Sequence, residues 1–340
     1  MTQVDPNLII QKMDKAFQQR SGLFNGPGMT AIRLFNGFLE GDPNWLVELF
    51  GKTLVINNHA ENDDSRIVQV IYEAYLSWIP WIQSVLYKHR YAGQLNDKRG
   101  QIIFGSQLAD EISESGVRYA VDLMANQDAS FYIDTRNLRS WLGKNLVEKT
   151  VLNTFAYTGS MGIAALVGGA RFVVQTDLNR RFLNVAKRSA QLNRIPENKM
   201  KFMVGDFFRT VGNLKKNHQL FDCVILDPPY FSTTPSGRVD LVNENARLVN
   251  KVKPLIAHQG YLVVVNNALY VSGTAFLETL EALCKDGYMT IKEIIPVPQE
   301  VIGFDETIVS NLPVSPAPFN YSTKIVILQV QRKDLKNATD

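Results

Sequence analysis

The chain has 340 residues, a length that favours two domains over a single core, and a formal net charge of +3 that permits a nucleic-acid partner without demanding one. Its two cysteines, Cys223 and Cys284, are too few for a disulfide framework or a cysteine zinc site. Its four histidines show no ligand spacing, so no structural metal is expected.

The first segment, "MTQVDPNLII", carries Asp5 ahead of a short apolar run and does not read as a signal peptide. Residues 8–19 predict a helix with Leu8, Ile9, Met13 and Phe17 on one face. Three glycines and a proline in "SGLFNGPGMT" break it, and residues 31–60 read as short strands with "GDPN" as a turn. A long helix over 64–87 follows. Its part 67–87 is the most membrane-like stretch, but Glu73 and Pro80 interrupt it below the roughly 20 apolar residues a span needs, so it reads as a buried, proline-kinked helix. A cytoplasmic protein without a membrane partner is therefore expected. The polar, basic stretch 88–101 reads as a linker, which sets expected domains at 1–105 and 106–333.

Residues 111–134 alternate like antiparallel strands, and 136–146 predict a helix. From Thr150 the pattern becomes strand, glycine turn, helix, repeated. "TVLNTFA", "RFVVQTD", "MKFMVGD", "FDCVILD" and "GYLVVVNN" are the strands, with helices over 161–170 and 179–193, the second with Phe182, Val185, Ala186 and Ala190 inward. "TIKEIIPV" and "TKIVILQVQ" add two strands, and the chain after Arg332 reads as a frayed end. The rhythm specifies α/β architecture with a doubly wound, mostly parallel sheet.

Ligands of such sheets sit beyond the carboxyl ends of the strands. There the sequence places Phe155, Tyr157, Thr158 and Gly159, then Asp177, Leu178 and Asn179, then Asp206 and Phe207, then Asp227. Thr158–Gly159 turns into a helix whose free amides can face a carboxylate. Asp177, about 20 residues on, suits a ribose with both hydroxyls free, while Asp206 and Phe207 could take an adenine amino group and face. Neither G-x-G-x-x-G nor G-x-x-x-x-G-K-[ST] is present, which disfavours NAD and ATP. A nucleoside with a zwitterionic tail, S-adenosyl-L-methionine, fits these pieces better. Each piece alone is more often a plain turn or helix cap.

The stretches "ASFYIDTRNLR", "VLNTFAYTGSMGIAALVGGA", "TDLNRRFLNVAKRSAQLNRI" and "FDCVILDPPYFS" resemble the class I S-adenosylmethionine-dependent methyltransferases that modify large-subunit ribosomal RNA. The resemblance covers about 111–331. Residues 31–51 are similar to the small α/β domain that precedes the catalytic one in that family, for which an RNA-binding or substrate-positioning role is expected; nothing resembles its RNA-binding PUA domain. The resemblance implies a Rossmann-like fold with a seven-stranded sheet, Asp134 and Arg136 beside the cofactor, and Asp227, Pro228 and Pro229 closing over the methyl donor and facing the base.

Tyr230 or Phe231 can stack on an extruded base, and "STTPSGR" to Arg238 reads as a lid over substrate. The cytosine C5 branch of the family carries a cysteine just after the next strand, where this chain has Asn266 and Asn267, a pair resembling the guanine N7 branch. An asparagine amide can bind a guanine edge, and N7 needs no strong base; a backbone-satisfied turn is the plain alternative for one of the two. The expected activity is therefore methylation of an RNA base, in 23S-type rRNA or an assembly particle, at guanine N7 and without a covalent cysteine. The alternatives are an exocyclic-amine methyltransferase, or a cofactor-binding assembly module with little catalysis. Lys88, Arg90, Lys98, Arg99, Arg136 and Arg139 form a basic cluster suited to RNA phosphates, and a homodimer is compatible with all of this.

Overall fold

Buried strands and capped helices build two units in the computed structural model, which describes residues 5–23, 30–61, 63–94 and 98–332. One unit comprises residues 1–134 and 298–312, the other 135–297 and 313–340. The expected boundary at 105/106 thus lies inside the first unit, and the chain after 297 returns to that unit, which local sequence pattern does not reveal.

In the first unit, α1 (Pro6–Arg20) starts where Asp5 accepts a hydrogen bond from Asn7 N and Pro6 occupies the first turn. It buries Ile9, Met13, Ala16, Phe17 and Arg20; Leu8, expected on this face, is exposed. Next come β1 (Ala31–Asn36), α2 (Gly37–Glu40), β2 (Trp45–Phe50), β3 (Thr53–Asn58), α3 (Ser65–Trp78), β4 (Ser84–His89) and β5 (Gln101–Phe104). The strands form one sheet in sequential order, parallel only at β3–β4. A small hairpin, β6 (Glu111–Glu114) with β7 (Val117–Ala120), completes the unit's strands.

The helix expected over 64–87 is two elements. It ends at Trp78, just before Pro80, and Ser84–His89 is a strand buried beside β3. A short apolar run reads alike as helix or central strand, and the crossover settled it. Among the described residues no helix is long and apolar enough to cross a membrane.

The linker reading also fails at its basic end. Lys88 is fully buried, and its ammonium donates to the carbonyls of Asn126, Gln127 and Asp128, each at 3.2 Å. Arg90 donates to Gln127 O at 2.7 Å and pairs with Asp128. Burial, with Arg90 adding to it, lowers the Lys88 pKa to about 8. Lys88→Met should therefore cost about 2–4 kcal/mol of stability, by stranding the three carbonyls. The folded state releases this proton near pH 8 while the unfolded chain holds it to about 10.4. Wild-type stability gains with pH in that window, so the deficit of the variant should widen from pH 8 to 10 in urea melts.

A buried ion pair fastens 298–312 to the N-terminal residues of this unit. Arg20 binds both oxygens of Glu40 at 2.9 and 3.0 Å and donates to Glu300 O, and Thr307 donates to Glu40 at 2.6 Å. Asn36 adds bonds to Val301 O and Ile302 O.

The second unit runs α4 (Arg136–Asn145), β8 (Thr150–Thr154), α5 (Ser160–Val167), β9 (Phe172–Asp177), α6 (Arg180–Leu192), β10 (Met200–Val204), α7 (Phe207–Lys216), β11 (Phe221–Leu226), β12 (Phe231–Thr234), β13 (Gly237–Asp240), α8 (Asn245–Val252), β14 (Ile256–Asn266), α9 (Gly273–Cys284), β15 (Met289–Ile295) and β16 (Lys324–Val330). Its seven-stranded sheet has the order β10-β9-β8-β11-β14-β16-β15, with β16 alone antiparallel to its neighbours.

Both faces of this sheet are covered, which is why its strands read as unbroken apolar runs. Val151, Val173, Cys223, Ile225 and Val263 pack against Leu138 and Leu142 of α4 and Ala165 of α5. Their neighbours Leu152, Val174, Val224, Leu226 and Val264 pack against Val211 of α7, Leu248 of α8 and Phe276 of α9. Strand order reverses between β8 and β11, so the crevice for a ligand opens at the carboxyl ends of those two strands. The mostly parallel sheet, with a smaller unit before it, is the architecture expected from the sequence.

Candidate functional site

The turn after β8 holds an unusual backbone. Phe155 and Tyr157 have φ of 52° and 51°, and Gly159 has 76° as the N-cap of α5. Two left-handed side-chain-bearing residues within three positions are costly and persist only where the surroundings enforce them. The enforcing contacts are visible. Ala156 N donates to Thr176 O at 2.8 Å, and Tyr157 N donates to Asp177 Oδ2 at 2.9 Å. Beneath them Asn153 Nδ2 donates to Gln175 Oε1 at 2.8 Å, and Gln175 Nε2 donates to Gly159 O at 3.2 Å.

That amide bridge leaves no room for a side chain above it. A Cβ on Gly159 would lie 2.5 Å from Ala186 Cβ and 2.7 Å from Gln175 Nε2, and one on Gly162 2.7 Å from Gln175 Cδ. The loop is a cradle of backbone, and the amides at the start of α5 are left for an anionic group. Asn153 and Gln175 were missed by the sequence reading. Their signal was an amide side chain inside each of two neighbouring buried strands.

Asp177 ends β9. Its Oδ1 accepts from Asn179 N at 2.8 Å. Burial raises its pKa above the usual carboxylate value, against the backbone amides of Asn179, Tyr157 and Leu178. Both oxygens retain acceptor capacity for hydroxyls. Leu178 beside it, just after β9, is exposed at 64%. Asn179 caps α6 by accepting from Arg181 N.

Phe207 differs from expectation, and Asp206 has structural partners as well. Asp206 caps α7, accepting from Arg209 N at 3.0 Å, and it also accepts from the Thr234 hydroxyl of the β12–β13 hairpin. Burial would raise its pKa, but the bonds from Thr234, Arg209, Ser236 and Phe208 outweigh it and hold the carboxyl below the usual range. Phe207 lies in the core, its ring stacked on Phe155 at 4.5 Å and set edge-on to Phe208. Phe207 presents no bare face to an adenine, whereas Asp206 stays partly exposed with acceptor capacity left on its oxygens. The expected lid is an ordered hairpin, latched to Asp206 through Thr234.

At the end of β11, Asp227 is half-buried, Pro228 is buried, and Pro229, Tyr230 and Phe231 are exposed. Thr158 is buried in the cradle. Tyr157 sets its ring edge-on to Phe182 at 4.5 Å. Arg136 opens α4, and Asp134 ends the preceding stretch in the first unit. Arg139, expected to meet RNA, is buried and donates to Thr135 Oγ1 at 2.7 Å.

One substrate residue needs correction. Asn266 is fully buried: its Nδ2 donates to Leu241 O at 3.4 Å and its Oδ1 accepts from Ala268 N at 2.9 Å. It shapes the loop, and only Asn267 of the pair is exposed. Arg238 is half-exposed but ion-paired with Glu244 at 3.0 Å. Cys223 is buried inside β11, and burial pushes its thiol far up, where no thiolate forms near neutral pH. No cluster of metal-ligating side chains occurs among the described residues.

Residues 45–303 match the family profile of S-adenosylmethionine-dependent methyltransferases. The chain is 29% identical over 234 residues to Ribosomal RNA large subunit methyltransferase I of Aliivibrio fischeri, an alignment covering 67% of this chain and 59% of that protein. It is 27% identical over 293 residues to YwbD of Bacillus subtilis, covering 84% of this chain and 72% of YwbD. Among solved structures, SMU.776 in complex with SAH superposes with a TM-score of 0.83 at 20% identity, covering 97% of this chain and 83% of that one. The profile match takes in most of the chain, including the cradle, Asp177, Asp206 and the Asp227 corner: this protein belongs to the S-adenosylmethionine-dependent methyltransferase family.

Proposed function

We propose that the chain transfers a methyl group from S-adenosylmethionine to a base of large-subunit ribosomal RNA, at N7 of guanine, with no covalent cysteine intermediate. The observation that carries this is the Asp-Pro-Pro-Tyr corner, set at the carboxyl end of β11 beside the strand-order reversal, with two exposed aromatic rings. The name of the Aliivibrio fischeri relative supports an rRNA substrate.

The cofactor supplies an activated methyl on a sulfonium; the chain supplies grip and aim. In this reading the backbone cradle from Phe155 to Gly159 takes the amino-acid tail, Asp177 the ribose hydroxyls and Leu178 the adenine. Arg136 adjoins the tail, and Asp206 orders the wall formed by the hairpin. Pro228 and Pro229 fix φ and carry no N–H, so the Asp227 carboxylate and the adjoining carbonyls keep one direction. Asp227 receives the edge of the base, Tyr230 or Phe231 its face, and Asn267 its outer rim. An in-plane lone pair at N7 requires alignment and no base catalyst. The first unit positions the RNA, as naked rRNA or in an assembly particle, and a cytoplasmic site of action follows from such a substrate.

The test is transfer of labelled methyl from S-adenosylmethionine to rRNA from cells lacking the gene, followed by nucleoside mass spectrometry. 7-Methylguanosine is the expected product. Label only in protein or small molecules would defeat the reading, and 5-methylcytosine would defeat its chemistry. Cys223→Ala should transfer within about twofold of wild type, since a buried thiol with a raised pKa contributes no nucleophile.

A further inference from the structure

The loop after β14 is held from below by buried polar groups that the reaction outlined above does not use. Lys324 opens β16 opposite Asn266, is 1% exposed, and donates to Ala268 O at 3.1 Å and to Ser322 O. Ala268 N in turn donates to Asn266 Oδ1, and Asn266 Nδ2 donates to Leu241 O. Leu241 N donates to Tyr230 O at 3.1 Å, and Asn245 Nδ2 also reaches Leu241 O. One hydrogen-bonded chain thus runs from Tyr230 at the corner, through Leu241, Asn266 and Ala268, to Lys324.

A buried lysine and a buried asparagine are expensive ways to shape an ordinary surface loop. What this scaffold presents is apolar. Leu269 is 37% exposed, and Tyr270, at 67%, is among the most exposed large hydrophobic side chains of the described residues. They stand at the carboxyl end of the strand adjacent to β11, on the same rim as Tyr230 at 48% and Phe231 at 55%. The sequence reading singled out neither.

We propose that Tyr270 is a further base-contacting residue, stacking on an RNA base at or next to the target, and that Asn266 and Lys324 are positioning residues that fix its loop to the Tyr230 corner. Three exposed rings on adjoining strand ends suit a purine and a neighbouring base, because every base has a stacking face and an aromatic ring loses little freedom on contact. This rests on the RNA reading above. It replaces the expected reading of the guanine edge by an Asn-Asn pair with stacking on a ring held by Asn266.

The test uses the full chain and rRNA from cells lacking the gene. Tyr270→Ala should lower kcat/KM for RNA by about 10- to 100-fold, the loss of one aromatic–base stack. S-adenosylmethionine affinity by calorimetry and the melting temperature should not change, and Tyr270→Phe should restore the rate. Lys324→Met should raise KM for RNA with cofactor affinity intact, because it frees the loop and leaves the cradle alone. If wild type labels RNA and Tyr270→Ala matches it within twofold, this inference alone fails. If Tyr270→Ala loses cofactor affinity in parallel, the role is structural and the inference also fails. If wild type labels no RNA, both readings fall.

Discussion

Asp227→Ala should abolish methyl transfer, by about 10²–10⁴-fold in kcat, while S-adenosylmethionine still binds within a few-fold of wild type. The carboxylate sits at the end of β11, on the rim opened by the strand-order reversal, and Pro228 is buried behind it. Cofactor grip in the proposed site comes chiefly from two other strand ends, the cradle after β8 and Asp177 at the end of β9. Loss of the side chain at position 227 therefore removes the partner of the base without dismantling the pocket of the donor. Single-turnover transfer, read beside calorimetry with the cofactor, separates the two. Turnover near the wild-type rate would mean that the base is not received at this corner. The Asp227→Asn variant refines the result: a partial rate would show that an acceptor oxygen suffices, and no rate would show that the negative charge is required.

Gly159→Ala should have the opposite signature, losing the cofactor by at least 100-fold and with it all transfer. The added methyl would lie 2.5 Å from Ala186 Cβ and 2.7 Å from Gln175 Nε2, with φ at +76°. A non-glycine residue in this left-handed region costs about 1–2 kcal/mol before any clash. The Gln175 amide cannot retreat without breaking its bonds to Asn153 and Gly159. The turn must open, which takes the amides of α5 away from the ligand. Melting temperature should fall by several degrees in parallel, from about 1–3 kcal/mol of lost stability in a unit of this size. An unchanged cofactor affinity would show that the ligand does not rest on this loop.

Much of the second unit was legible because its signals are local. The apolar runs 150–156, 171–177 and 221–227 are short, bounded by turns and rich in β-branched residues, and each became a strand of the buried sheet. The carboxylates after them could be placed on one rim because parallel crossovers bring successive strand ends together. The first unit was less legible. Ile82–Tyr87 is apolar enough to extend a helix, and only its parallel seat beside β3 made it a strand.

The same limit governed individual side chains. Lys88, Arg139, Asn266 and Lys324 are polar residues of the kind that face water or substrate, and each is buried against carbonyls, a hydroxyl or an amide. Asp206 was rightly put at a strand end, but its Thr234 partner lies 28 residues away. Segment 298–312 lies in the chain between the last two strands of the large sheet, β15 and β16, yet it packs with residues near the N-terminus through Arg20 and Glu40.

By itself the sequence determined which segments are strands of the parallel sheet, where the glycine turn and the acidic corner fall on it, and which family the chain resembles. Those properties depend on residue type and short spacing. Only the tertiary structure decided which polar groups are available to a ligand, that the hairpin is latched to Asp206, and that Asn266 serves the loop. The physical reason is that burial and hydrogen-bond partnership are set by residues far apart in the chain, and a polar side chain has the same appearance in sequence whether it meets water, substrate or a buried carbonyl.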